Sequence, residues 1–182
     1  EEIADIGRKI GMTVPFIRPS QLARDETTAC DVALHALDWM TQATGTRPKS
    51  IMLLQPTSPF RSPGLILDAV KMLEDPSIDG VIGVKAIHRN LATLFSVDGN
   101  LKMFPLSKDE KLQSRRQDIS PIYTPNGALY LIRTEKLEEG TQFFPEKLQG
   151  IVMDQISSID IDDPIDWKIT EAMVANKLTW RK

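Results

Sequence analysis

Four apolar residues, Ile51 to Leu54, run without a polar break and stop at Gln55, where a proline-punctuated loop, Pro56-Thr57-Ser58-Pro59, leads to Arg61. An uninterrupted run of that length between helical patterns reads as a fully buried strand of a parallel sheet. In open α/β sheets, ligands bind beyond the carboxyl ends of such strands. Gln55, Thr57, Ser58 and Arg61 therefore fall where a ligand is expected, on a loop that its two prolines stiffen. The same pattern also describes a strand that merely ends in a proline-capped loop.

The flanking segments extend this reading. Ile3, Ile6 and Ile10 share one helical face, with Gly11 closing the helix, and Val14 to Ile17 reads as a short strand. From Thr28 to near Gly45, residues Val32, Leu37, Trp39 and Met40 recur with helical period. A helix from Pro63 would bury Leu65, Ile66, Ala69, Val70, Met72 and Leu73, and Asp79 to Ala86 reads as a second central strand. The order β, α, β, α, β predicts an α/β fold with a doubly wound sheet. Residues 88–124 break that rhythm. Two apolar stretches flank Asp98-Gly99-Asn100, a hairpin signal, and a polar segment with Arg115 and Arg116 follows. They read as a small inserted lobe of the kind that mediates oligomer contacts. Asn126 to Ile132 returns to the core, and two strands (about 149–154 and 156–161) and a helix from Pro164 to about Asn176 close a single domain, 1–182.

Bulk properties narrow the function. A net charge of −3 without a basic stripe gives no reason to expect nucleic acid as a partner. No stretch reaches the roughly 18 apolar residues of a membrane span, and Glu1-Glu2-Ile3-Ala4-Asp5 is unlike a secretory signal, so the cytoplasm is the default location. The lone Cys30 lies among apolar residues of a helical pattern and reads as filler. A helix that opens at residue 1 without a cap suggests that a segment upstream is missing.

The chemistry concentrates in Ser158-Ile159-Asp160-Ile161-Asp162-Asp163, where apolar and acidic residues alternate. On a strand, Asp160 and Asp162 would share a face, and a hard divalent cation would relieve their repulsion. Magnesium commonly takes one or two carboxylates and completes its shell with phosphate oxygens. The alternative is a solvated strand end. Asp163-Pro164 reads as the cap and first position of the last helix. Arg18, Arg61, Arg115 and Arg116 fall in predicted loops, where a guanidinium can grip carboxylate or phosphate bidentately or simply be solvated. Asn126-Gly127 offers an amide to read a ligand's polar edge and a glycine for close backbone approach, or else an ordinary turn. Phe143-Phe144-Pro145 is a packing wedge or the wall of an apolar pocket.

The stretches VPFIRPSQLARDETTACDVALHAL, LLQPTSPFRS, RRQDISPIYTPNGALYLI and SIDIDDPIDWKITEAM, in that order, resemble the acylneuraminate cytidylyltransferase (CMP-sialic acid synthetase) family over nearly the whole chain. That resemblance implies a Rossmann-like nucleotidyltransferase domain, a three-layer sheet with a small dimerisation lobe exchanged across a homodimer. The implied reaction is magnesium-dependent transfer of CMP from CTP to the anomeric hydroxyl of a nine-carbon sugar acid, releasing pyrophosphate. By the same resemblance, Asp160 and Asp162 would bind magnesium, with Asp162 also near the attacking hydroxyl. Arg18 would lie near the nucleotide, and Gln55 would reach the sugar acid; Ser58 and Asn126 join the substrate-binding candidates by their own positions in the sequence. Tyr130, Phe143 and Phe144 would line the sugar pocket. Arg116 would cross to hold the partner subunit's sugar carboxylate. The family's opening strand and its A-R-x-G-S-K loop do not occur in this sequence, which implies an amino-terminally truncated domain with impaired catalysis. Some members also carry a lysine near the start of the lobe; His88-Arg89-Asn90-Leu91 holds no clear equivalent, with Arg89 the candidate substitute. Activation of legionaminic, pseudaminic or 3-deoxy-octulosonic acid, or a non-catalytic dimerising remnant, are the alternatives.

Overall fold

The structure, a computed structural model, describes residues 1–107 and 121–178, and the chain falls into two compact units, Glu1–Ile51 with Ile132–Pro145 and Met52–Leu131 with Glu146–Lys182. In chain order the elements are α1 (Glu2–Lys9), α2 (Ala29–Thr44), β1 (Ser50–Leu53), α3 (Pro63–Leu73), β2 (Gly80–Ile87), β3 (Phe95–Val97), β4 (Met103–Pro105), β5 (Ile122–Arg133), α4 (Thr134–Glu138), β6 (Leu148–Val152) and α5 (Pro164–Ala175). The protein is mixed α/β, with a central sheet in the order β1-β5-β2-β6. Strands β2 and β6 run parallel, from Gly80 opposite Leu148 to Val84 opposite Val152.

In the first unit, reciprocal capping starts α2. The Thr28 hydroxyl accepts from the Asp31 N–H at 3.1 Å, and the Asp31 carboxylate accepts from the Thr28 N–H at 3.0 Å. Gly45, with φ of +70°, ends the helix in the left-handed conformation. Arg47 ties α2 to α4 through Asp38 at 2.9 Å and through Glu138. Residues 14–17 do not form the expected strand. The Phe16 ring packs on His35 (5.0 Å) and Trp39 (5.2 Å) of α2, so side-chain packing rather than a ladder fixes this stretch. In α1 the residue turned inward is Gly7, while Ile3, Ile6 and Ile10 are exposed.

The second unit holds the main core. Ser62 and Pro63 open α3, the Ser62 hydroxyl accepting from the Leu65 N–H at 3.2 Å. Leu65, Ala69 and Leu73 of α3 then pack against Val81 of β2, Ala128, Leu129 and Leu131 of β5, and Met153. The run Ile51–Leu54 is only half-buried, because β1 stands at the edge of the sheet. The strands that are fully enclosed over several residues are β2 and β5. Strands β3 and β4 form the expected antiparallel hairpin, with the Asp98 carboxylate accepting from the N–H groups of Asn100 and Lys102. Leu91–Thr93, before the hairpin, is a 3-10 turn that Asn90 caps.

Candidate active site

Segment 156–161, expected as a strand, is a turn followed by extended chain. The Asp154 carboxylate accepts from the N–H groups of Ile156 and Ser157 and from the Ser157 hydroxyl, which commits those amides to a turn rather than a ladder. These hydrogen bonds hold the Asp154 carboxyl below its ordinary pKa. Beyond the turn, two bonds dock the acidic stretch onto the loop after β1. The Ile161 N–H donates to the Thr57 carbonyl at 2.9 Å, and the Ser58 hydroxyl lies 3.3 Å from Asp160 Oδ1. Residues far apart in sequence thereby meet.

Gly127 marks the meeting point. Its φ is +77°, and a Cβ there would lie 2.8 Å from Asp160 Oδ2, 2.8 Å from Gln55 Oε1 and 3.0 Å from Ser58 Oγ. Only glycine leaves room for three polar groups at such a range. Ser58 is fully buried, and Gln55 is half-buried. The Arg61 guanidinium braces the same loop by donating to the Gln55 carbonyl at 2.6 Å, and its burial lowers its pKa from the ordinary value. Tyr130 lies within reach of this charge. Burial raises its phenol pKa first, and the negative Asp160 raises it further.

Asp160 and Asp162 both line a cleft of about 860 Å³, beyond the ends of β2 and β6, together with Lys85, His88 and Arg89. The Asp162 N–H donates to the Asp166 carboxylate at 3.1 Å, and Asp163 and Asp166 cap α5 reciprocally, as expected of Asp163-Pro164. Among the described residues no group of three or more His, Cys, Asp or Glu side chains could hold a metal ion. Asp160 and Asp162 by themselves would offer a cation two carboxylates, and the rest of its shell would have to come from ligand phosphates and water.

Asn126 is buried in β5, with its amide engaged inside the protein. Arg18 is exposed in a loop of the first unit, which also holds Phe143, buried, and Phe144, exposed. Arg115 and Arg116 lie outside the described residues. Lys85 and His88 were not singled out as ligand groups in the sequence. The available signal was their place at and just past the end of a strand that, like β1, leads into the ligand region.

None of the protein-family models matches the chain. The CMP-N,N'-diacetyllegionaminic acid synthase of Legionella pneumophila is 33% identical over 177 residues, covering 96% of this chain and 74% of that protein. The chain belongs to the acylneuraminate cytidylyltransferase family. The N-acylneuraminate cytidylyltransferase of Escherichia coli is 29% identical over 155 residues, and there this member of the family spans 35% of the longer protein. In fold, the family member resembles a CMP:2-keto-3-deoxy-manno-octonic acid synthetase solved with CTP, at a TM-score of 0.60 and 14% identity over 97% of this chain and 78% of that one. No helix among the described residues is long and apolar enough to cross a membrane.

Proposed function

We propose that this chain transfers the cytidylyl group of CTP to the anomeric hydroxyl of a nine-carbon sugar acid. The supporting observation is the convergence of Gln55, Ser58 and Asp160 on Gly127, at the edge of a cleft that Asp162 also lines. Family membership supplies the reaction class. The hydroxyl oxygen bonds to the α-phosphorus, the bond from that phosphorus to the bridging oxygen breaks, and pyrophosphate leaves. Asp162 accepts the hydroxyl proton. Magnesium, held by Asp160 and Asp162, would neutralise charge on the phosphates. The Gln55 amide orients the sugar acid, and Lys85 and Arg89 give an anionic ligand compensating charge in the cleft that Asp160 and Asp162 line.

The remaining roles belong to the same proposal: Arg18 near the nucleotide, Tyr130, Phe143 and Phe144 on the sugar, and Arg116 from the partner subunit of a homodimer on its carboxylate. The apolar residues exposed on the hairpin, Phe95, Val97, Met103 and Phe104, support pairing with a second copy. Work on CTP suits the cytoplasm. The Legionella relative makes N,N'-diacetyllegionaminic acid the first alternative to N-acetylneuraminic acid. The test is to incubate the complete gene product with CTP, magnesium and a panel of sialic, legionaminic, pseudaminic and 3-deoxy-octulosonic acids. A CMP-linked product with equimolar pyrophosphate is expected from a nine-carbon acid. Pyrophosphate at background with every acid would refute the assignment.

A further inference from the structure

We propose that Asn126 is a positioning residue that aims Asp160, and that its amide does not contact a ligand. Asn126 is 3% exposed, and every polar atom of its side chain is used within the protein. Nδ2 donates to Ser158 Oγ at 2.9 Å and approaches Met153 Sδ at 3.1 Å, while Oδ1 accepts from the Ala128 N–H at 3.2 Å. The Asn126 carbonyl also accepts from the Ser58 hydroxyl at 3.4 Å. One residue of β5 thus holds both the loop after β1 and the turn that leads into the acidic stretch. Strand β2 is shaped around it. A Cβ at Gly83 would stand 2.7 Å from Asn126 Oδ1 and 3.1 Å from Met153 Sδ.

Asp160 is consequently anchored on both sides. Two residues before it, Ser158, itself 3% exposed, accepts from the Asn126 amide. One residue after it, the Ile161 N–H is bonded to the Thr57 carbonyl. An amide that turned to read a ligand would leave Ser158 and the Ala128 N–H unpaired in the interior, where such groups are costly. The placement of Asp160 against Gln55 and Ser58 follows from these two anchors. The catalytic consequence rests on the proposed function, whereas the tether itself does not.

The experiment uses Ser158→Ala, which removes the tether's acceptor with little change of volume, and Asn126→Asp, which keeps the shape and loses the donor. The first readout is amide hydrogen exchange at Ile161. About tenfold faster exchange is expected in both variants, the order that loss of a buried hydrogen bond produces, with Leu129 to Ile132 of β5 unchanged. The second readout is turnover by the complete gene product. A kcat lowered about tenfold, a higher magnesium concentration for half-maximal rate and a sugar-acid KM within about twofold of wild type are expected. Unchanged exchange at Ile161 in both variants would overturn the tether. Faster exchange with wild-type kcat and magnesium dependence would overturn the aiming role, as would a raised sugar-acid KM alone in Asn126→Asp. If the wild-type protein releases no pyrophosphate, the proposed function fails on its own account, and the exchange result still decides the tether.

Discussion

A methyl group at Gly127 would overlap three side chains at once, Asp160, Gln55 and Ser58, at 3.0 Å or less. The positive φ of Gly127 adds backbone strain to any substitution. Gly127→Ala is expected to destabilise the protein by about 1–3 kcal/mol and to abolish transfer, measured by urea unfolding and pyrophosphate release. A second residue-level expectation concerns acid. Because Asp154 accepts three bonds, its folded pKa lies below the ordinary 3.8. Its contribution is therefore present above about pH 4 and is lost as pH falls through the folded value. Amide exchange at Ile156 and Ser157, compared on either side of that range, should lose its pH-linked protection in Asp154→Asn. At this scale position after a strand singled out Gln55 and Ser58 and charge pattern singled out the aspartates, and the structure brings Gln55, Ser58 and Asp160 together at Gly127. Spacing could not reveal that the Asn126 amide finds partners 27 and 32 residues away.

Helix starts were among the legible boundaries. Those expected near Thr28 and Pro63 came from apolar periodicity and that at Pro164 from the Asp163-Pro164 cap, and each is capped in the structure, by Thr28 with Asp31, by Ser62 and by Asp163 with Asp166. Thr28→Ala removes the hydroxyl's bonds to the Asp31 N–H and carboxylate while the backbone N–H of residue 28 keeps its own bond to Asp31, and it should cost about 1 kcal/mol, or about 2–4 °C in thermal unfolding. Strands without a partner in view were less legible. Val14–Ile17 and 156–161 are both short stretches rich in apolar residues, yet the first is held by ring packing and the second by a carboxylate-capped turn. Such a pattern does not record whether a neighbouring ladder exists to receive the backbone. Strand β1 shows the converse. Its continuous apolar run promised full burial, but its edge position leaves it half-buried.

For the molecule as a whole, the α/β class followed from the alternation of elements, and membership of the cytidylyltransferase family agrees with it. The core of the second unit centres on Leu129, which is fully buried. Leu129→Ala should cost about 2–5 kcal/mol, visible as a lower denaturation midpoint without a change of reaction specificity. The hairpin makes a different claim. Val97→Glu on its exposed apolar surface should convert a dimer to a monomer by light scattering with little loss of monomer stability; an unchanged mass would remove the hairpin from the interface. The cation-assisted pocket is the claim on which the functional account turns, and Asp162→Asn in the complete gene product tests it most directly, with circular dichroism to confirm the fold. Pyrophosphate release from CTP and the preferred sugar acid should fall at least about 100-fold, with added magnesium failing to restore it. Release at the wild-type rate, with the wild-type magnesium dependence, would contradict the account.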